Sequence, residues 1–106
     1  MKWDAFKNCT GLTITIPNSV TRINEWAFKG CENPTIINIT DSVTSVGDEA
    51  FKFWENLTII NIPDNVTSIG KYAFSGCTNL TIHTPTGSYA EQYAQNNKIN
   101  LVTEKI

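Results

Sequence analysis

Three cysteines and one histidine are the side chains of this 106-residue chain that could most readily bind a metal or act as nucleophiles. Cys9, Cys31 and Cys77 lie too far apart to form a C-x-x-C zinc motif, and His83 has no second ligand beside it. No other short segment supplies two metal ligands at a usable spacing. We therefore predict that the chain binds neither a metal ion nor a cofactor.

The acidic residues also give no sign of an active site. Asp41 and Asp64 follow strand-like segments at turn positions, where short polar side chains make local hydrogen bonds. Asp48 and Glu49 stand at the predicted start of a helical segment, where negative charge favours the helix dipole. The chain has no G-x-S-x-G nucleophile elbow and no glycine-rich phosphate loop. We predict that it is not an enzyme.

The strongest pattern in the sequence is the dipeptide Ala-Phe, which returns four times at steps of 22, 23 and 23 residues. The four copies begin at Ala5, Ala27, Ala50 and Ala73. A period of this length is typical of repeat proteins in which each unit buries its apolar face against the next. We therefore expect a stacked solenoid of about four coils.

Each repeat combines two different periodicities. Leu57-x-x-Ile60-x-Ile62 alternates as a half-buried strand does, and Pro63 should end that strand because proline lacks an N–H. Val66 to Ile69 predicts a second short strand. The spacing of Ile69, Ala73, Phe74 and Cys77 then indicates a short helical segment, which Gly76 would end at positive φ.

The cysteines share one column of the repeat. That column reads Cys9, Cys31, Trp54 and Cys77, and a position that accepts tryptophan requires apolar bulk. Reduced thiols in the core are the favoured interpretation, since buried free cysteine behaves as a small apolar side chain. A disulfide between Cys9 and Cys31 in adjacent coils remains an alternative, and it would leave Cys77 unpaired.

After Pro85 the repeat stops and a cap is predicted. Ser88-x-x-Glu91 is a capping box, which opens an amphipathic helix over residues 88–97. Ile99 to Val102 predicts a final strand that pairs with the edge of the sheet. A cap would cover apolar side chains and unpaired strand edges at the end of the array.

The beginning of the chain lacks such a cap. Met1 already occupies the Ile/Val column, so the sequence starts in the middle of a coil. The favoured interpretation is a segment cut from a longer array. The alternative is end-to-end self-association through this uncapped N-terminal coil, with Trp3 and Phe6 near the exposed end.

The repeat unit at residues 57–80 resembles the BspA-like leucine-rich repeat family. The resemblance rests on four shared columns, namely Ile-Pro, Val-Thr-Ser-Ile-Gly, Ala-Phe and Cys, and it covers residues 1 to about 85. It implies a β-rich α/β solenoid, a right-handed leucine-rich-repeat superhelix, in a single domain with repeats at 1–85 and a C-terminal cap at 86–106. It also implies adhesion or protein recognition at a cell surface or after secretion, with no catalytic residues.

Charge and hydropathy narrow the choice of partner. The net charge of −2 is spread without runs, so the chain has no field suited to nucleic acid or an anionic membrane. No apolar run approaches the roughly 20 residues of a membrane-spanning helix, and no signal peptide is visible. We therefore expect a protein partner, such as a host or extracellular matrix protein, and neither nucleic acid binding nor membrane insertion.

The outward face of the strands is the predicted partner-binding surface. We expect Thr13, Thr35, Thr58 and Thr81 to share one position of the repeat, because each of them opens a strand-like segment. A one-residue deletion in the first of these strands would explain why the first repeat step is 22 residues and not 23. Asn38 and Asn61 should stack their amides one coil apart, with Ile36 and Ile59 as an exposed apolar centre. The predicted face consists of the residues Thr13, Thr15, Thr35, Ile36, Asn38, Thr58, Ile59, Asn61, Thr81 and His83.

Two interpretations of this face remain open. Polar groups around an apolar centre are typical of surfaces that recognise proteins. Thr and Ile are also simply the residues that suit strands, and then the repeats would form a structural spacer or stalk that displays another domain. A regular ice-binding Thr array is disfavoured, because only Thr13-Ile14-Thr15 supplies a Thr-x-Thr.

Overall fold

The computed structural model describes residues 13–24, 35–52 and 54–104. These residues form eight strands and one helix. In chain order the elements are β1 (Thr13–Thr15), β2 (Arg22–Ile23), β3 (Ile36–Asn38), β4 (Ser45–Val46), β5 (Ile59–Asn61), β6 (Ser68–Ile69), β7 (Thr81–Pro85), α1 (Tyr89–Asn96) and β8 (Asn100–Glu104).

The strands form two parallel sheets, and the chain alternates between them. The larger sheet has the order β1-β3-β5-β7-β8, and the smaller one has the order β2-β4-β6. Each strand from β1 to β5 therefore pairs with the equivalent strand of the next coil, about one repeat further along the chain, and β7 pairs with β8 of the cap. This arrangement is a repeat solenoid, as the Ala-Phe spacing predicts, and its one described helix lies in the C-terminal cap.

The core is a stack of equivalent apolar side chains. Ile14, Ile37, Ile60 and Ile82 occupy the middle of successive strands in the larger sheet, and all four are buried. Each large apolar side chain buried in this way contributes roughly 1.5–3 kcal/mol. Because one coil alone would leave these side chains in water, stability depends on contacts between neighbouring coils.

The phenylalanines of the Ala-Phe dipeptides stack through the interior. The Phe51 and Phe74 rings lie 5.5 Å apart between centroids with an interplanar angle of 1°. The Tyr93 ring of α1 packs edge-on against Phe74 at 6.1 Å. The predicted single file is confirmed for Phe51 and Phe74, while Phe28 lies outside the described residues.

The Ala-Phe segments were predicted to be short helices, and this prediction is wrong for the two that the structure describes. Residues 48–52 and 71–76 form consecutive turns instead. Glu49 and Tyr72 both have φ of 59°, in the left-handed region. The backbone N–H groups of Glu49 and Phe51 donate to the carbonyls of the next coil, at Lys71 and Ala73. Donors that face a neighbouring coil cannot also close a helical turn.

Asp48 and Glu49 therefore do not stabilise a helix dipole, contrary to the prediction, and make other contacts instead. The Asp48 Oδ1 atom accepts the backbone N–H of Lys71 in the next coil at 2.8 Å. The Glu49 carboxylate pairs with the Lys52 ammonium at 3.2 Å. Gly76 has φ of 83°, which confirms the prediction that glycine supplies a positive φ where this segment ends.

The register of the larger sheet differs from the predicted threonine column. Thr13 pairs with Ile36, and Ile59 pairs with Thr81, so Thr35 and Thr58 precede the paired positions by one residue. All four strands begin at this same register position, so the residue that is missing from the first and fourth repeats lies before the strand and not within it. A deletion is present as predicted, but its position makes Thr13 a neighbour of Ile36 and not of Thr35, and makes Thr81 a neighbour of Ile59 and not of Thr58.

The cap follows the predicted order of helix and strand. The Ser88 hydroxyl accepts the N–H of Glu91, as the first half of the capping box requires. The Glu91 carboxylate accepts a hydrogen bond from the backbone N–H of Gly87 and not from that of Ser88. The Ser88 N–H donates to the Pro85 carbonyl instead.

The final strand of the cap, β8, pairs with β7 in parallel. Strand β7 includes Pro85 as its last residue and does not end before it. A proline at that position removes no ladder bond further along the strand.

Candidate strand-face interface

The outward side chains of the larger sheet form two rows that cross all five strands. The first row contains Thr13, Ile36, Ile59, Thr81 and Asn100. The second row contains Thr15, Asn38, Asn61, His83 and Val102. We call these ten residues the strand face. Adjacent members of a row lie on neighbouring strands, roughly 4.7–4.9 Å apart along the hydrogen-bonding direction.

Neither row contains an Asp, Glu, Lys or Arg side chain. Thr13 and Thr15 are exposed at one end, and Asn100 and Val102 are exposed at the other. The two central isoleucines, Ile36 and Ile59, are half-buried instead of fully exposed as predicted, because each is flanked by side chains of the adjacent coils. The face is therefore a neutral surface with a partly accessible apolar centre.

The second row is joined by side-chain hydrogen bonds. The Asn61 Nδ2 group donates to Asn38 Oδ1 at 2.6 Å, and Asn38 Nδ2 donates to the Thr15 hydroxyl at 3.4 Å. The predicted amide ladder is confirmed, and it extends by one coil to Thr15. His83 pairs with Asn61 in the sheet register and so continues the row on β7.

Thr35 and Thr58 lie beside the first row and belong to neither row. The Thr58 hydroxyl and the Thr58 backbone N–H both donate to the Thr35 carbonyl, at 3.0 and 2.8 Å. The Thr58 hydroxyl therefore helps to join consecutive coils at the start of the strands. Thr58 is exposed and Thr35 is half-buried, so both remain at the margin of the strand face.

The C-terminal strand β8 adds two residues that sequence reasoning missed. Asn100 pairs with Thr81 and Val102 pairs with His83. The Val102 side chain is 44 % exposed, which makes it the most accessible aliphatic group of the strand face. The Ile99 to Val102 pattern predicted a strand at the sheet edge, but it could not show which two side chains would continue the outward rows.

An open groove of about 180 Å³ adjoins the second row at the end of β5 and β7. Asn61, His83, Pro63 and Pro85 line this groove. Ile39, Ile62 and Thr84 also line it, and these three residues are buried. We call this feature the proline groove. It joins polar groups of the strand face to an apolar corner of the coil.

Thr84 is a buried polar residue at a position where the preceding coils carry isoleucine. Its hydroxyl donates to the Ile62 carbonyl at 2.8 Å and lies 2.8 Å from the Ser88 hydroxyl. These contacts connect the last coil to the start of α1. The sequence showed Thr84 in a shortened strand but gave no signal that its hydroxyl would be buried.

The cysteine column contributes to packing in the part that the structure describes. Cys77 carries a free thiol, which donates to the Phe51 carbonyl at 3.1 Å. Burial raises the pKa of this thiol from its usual 9.0 to about 11, against a smaller lowering by a backbone hydrogen bond with Trp54. Trp54 packs edge-on against Phe51 at 5.3 Å. Cys9 and Cys31 lie outside the described residues, so their pairing stays a prediction.

Metal and membrane features were searched over residues 13–24, 35–52 and 54–104. This part of the chain brings no three His, Cys, Asp or Glu side chains together as metal ligands. It also has no helix that is long and apolar enough to span a bilayer.

The sequence matches the family model of the BspA-type leucine-rich repeat region (6 copies) over residues 1–105. The chain belongs to this family. The match covers nearly the whole sequence and agrees with the parallel strands and stacked isoleucines of the structure. Comparison with curated proteins finds no match.

A leucine-rich cell surface protein from Faecalibacterium prausnitzii A2-165 has a similar solved structure. It is 41% identical to this chain with a TM-score of 0.63, and the alignment covers 76% of this chain. The same alignment covers 22% of the solved chain, so this BspA-type repeat protein spans about a fifth of the length of that neighbour. The likeness supports the fold over most of the sequence.

Proposed function

We propose that this chain is a recognition module of a cell-surface or secreted protein, and that it binds a host or extracellular matrix protein through the strand face. The observation that supports the proposal most is the continuous pair of neutral rows across five parallel strands. BspA-type membership and the cell-surface neighbour favour a surface location. Leucine-rich repeats of this type are a non-enzymatic kind of domain, and we expect no catalysis by this one.

Binding would follow from the composition of the face. Ile36 and Ile59 give a central apolar contact, and the threonine hydroxyls and amides around them give orientation. Because the strands and their hydrogen bonds hold the rows in place, a partner would have to order few side chains on this surface.

The test is a double substitution at the centre of the face, Ile36→Asp with Ile59→Asp. Two carboxylates at adjacent half-buried positions should abolish capture of host extracellular proteins by the immobilised domain, because they cannot be desolvated without partners. Ser45→Asp with Ser68→Asp is the matched control. It places the same two charges one coil apart on the smaller sheet, where Ser45 pairs with Ser68. Equal capture by both folded variants would contradict the proposal.

A structural spacer is the second candidate, and the bonds between coils favour it. Three sets of contacts join the coil of residues 35–52 to the next one, through the two sheets and through the backbone N–H groups of Glu49 and Phe51. A rod held in this way would keep a displayed domain at a fixed distance. Unchanged adhesion of the full protein when the strand face carries Ile36→Asp and Ile59→Asp would favour the spacer.

A further inference from the structure

The size and the lining residues of the proline groove favour the binding of a single large side chain of a partner protein. Its volume of about 180 Å³ is below the roughly 300–1,000 Å³ of sites for small-molecule ligands and cofactors. A space of this size accommodates one large side chain. Because the groove opens beside Asn61 and His83 of the second row, a side chain within it would belong to a protein lying on the strand face.

The two prolines that line the groove favour a planar apolar group. Pro63 and Pro85 occupy equivalent corners of consecutive coils, and both are half-buried. Proline surfaces and aromatic rings are complementary, as in the binding of proline-rich segments to aromatic-lined grooves. No Asp, Glu, Lys or Arg lines the groove, so a charged side chain would lose its hydration without gaining a partner.

The two polar side chains at the groove, Asn61 and His83, favour a hydroxyl at the end of that group. The Asn61 Nδ2 group donates along the ladder to Asn38, which leaves its carbonyl oxygen to accept a hydrogen bond. The His83 imidazole lies on the neighbouring strand and has at least one N–H to donate in either protonation state. A hydroxyl can donate to the first and accept from the second. A phenylalanine ring could use neither group.

We infer that the proline groove binds a tyrosine side chain of the partner protein. The ring lies against Pro63 and Pro85, and the phenol hydroxyl reaches Asn61 and His83. This inference rests on the proposed function, since the tyrosine anchors a partner that covers the strand face. Tyrosine is also among the residues that most often dominate binding at protein interfaces.

The experiment is a titration of the ¹⁵N-labelled full chain, followed by NMR. The probes are N-acetyl-tyrosinamide, N-acetyl-phenylalaninamide and N-acetyl-leucinamide at millimolar concentrations. We expect saturable shifts at Asn61, His83 and Thr84, and a Kd for the tyrosine probe about five-fold below that for phenylalanine. No saturable shift, shifts centred elsewhere, or equal affinity for the tyrosine and phenylalanine probes would overturn the inference.

Two variants locate the site. Pro63→Glu places a carboxylate in the groove and should remove binding of the tyrosine probe, whereas Pro17→Glu makes the same change at an equivalent turn outside it. Pro63 and Pro17 accept comparable turn hydrogen bonds, from Val66 and Val20, so their effects on folding should be similar. Should Pro63→Glu fail to fold, His83→Leu provides the second measurement. It should reduce the preference for tyrosine over phenylalanine, because the hydroxyl loses one of its two partners, and an unchanged preference would overturn the inference.

The outcome also separates this inference from the proposed function. If the tyrosine probe does not bind, but Ile36→Asp with Ile59→Asp still abolishes capture of a partner, then the strand face is retained and the groove is rejected. If the probe binds as expected and the double variant captures partners normally, then the strand face is rejected as the partner-binding surface, and the groove is retained only as a site that binds tyrosine.

Discussion

The interior of the coil stack and its junction with the cap are built from different contacts. Inside the stack, equivalent side chains repeat, as Phe51 does on Phe74 and Ile60 does on Ile82. At the junction, Thr84 replaces the repeated isoleucine and Tyr93 replaces a further phenylalanine. The stack can grow by repetition because each layer is alike. The cap ends it because its contacts are specific and leave no identical surface for another layer.

Hydrogen bonds show the same difference. Within the stack, backbone groups of one coil bond those of the next, as Glu49 and Phe51 do with Lys71 and Ala73. Within the stack, threonine hydroxyls such as that of Thr58 also join coils, but these hydrogen bonds are exposed to solvent. At the cap, more deeply buried side-chain hydroxyls have this role. The Tyr93 hydroxyl donates to the Gly70 carbonyl at 3.3 Å, and Thr84 donates to the Ile62 carbonyl. The junction should therefore be more sensitive to loss of a hydroxyl than the interior.

The largest expected effect is in the stack interior. Phe51→Ala should lower the free energy of unfolding by about 3–5 kcal/mol, because Phe51 is fully buried and its neighbours cannot close the cavity. Urea unfolding followed by circular dichroism measures this. Tyr72→Ala, in the corresponding turn of the next coil, is the control, since that ring is 66 % exposed and its loss should change stability by about 0.5 kcal/mol or less. Similar losses in both variants would contradict stacked-coil packing.

A smaller effect is expected at the junction. Thr84→Val keeps the volume but removes the hydroxyl, leaving the Ile62 carbonyl and the Ser88 hydroxyl short of a buried partner. The expected loss of unfolding free energy is about 1–3 kcal/mol by urea unfolding. Ile62→Val, the apolar change in the coil before, should cost about 0.5–1.5 kcal/mol through lost packing. A neutral Thr84→Val would show that polar contacts do not distinguish the cap junction from the stack.

The smallest effect concerns the thiol column and is seen only in alkali. Burial raises the pKa of Cys77 to about 11 in the folded protein, so the unfolded chain loses this proton first, near 9. The stability that follows from keeping the thiol protonated is therefore complete below about pH 9 and is lost as pH rises to about 11.

Cys77→Val should make the fall in melting temperature between pH 9 and 11 less steep, because the variant has no thiol to ionise at this position. Parallel thermal melts of the two proteins at pH 7 and across that range measure the difference. Identical slopes would show that Cys77 is not protected by the last layer of the stack. Trp54 occupies the equivalent position of the preceding coil and has no group that ionises in this pH range.

Much of the fold was predictable because the same local pattern of apolar and polar residues occurs in every repeat. The alternation around Ile60 and the Ala-Phe period were sufficient to predict stacked strands and a buried file of rings. The helix at Ser88 was also predictable, since a capping box and an apolar stripe are both local signals. The turns at Glu49 and Tyr72 were not. Their apolar spacing fits a helix, and only hydrogen bonds to the neighbouring coil favour the left-handed backbone found there.

The strand face was predictable in part for a related reason. Alternation identified Ile36, Asn38 and their counterparts in the next coil as outward residues, and the amide ladder followed from them. The pairing of Thr13 with Ile36 could not be read in advance, because a deletion can be placed at either end of a strand without changing the local pattern. Val102 joined the face only because β8 returns beside β7 after a helix.

By itself, the sequence determined the period, the alternation of each strand, the buried isoleucine and phenylalanine columns and the position of the cap, since these depend on residues close together along the chain. Tertiary structure decided the register between coils, the left-handed turns, the buried Thr84 hydroxyl and the proline groove. Each of these depends on hydrogen bonds or contacts between residues about one repeat apart or between the last coil and the cap. Such partners are selected by packing of whole coils, because a buried polar group must find a partner wherever the neighbouring layer provides one.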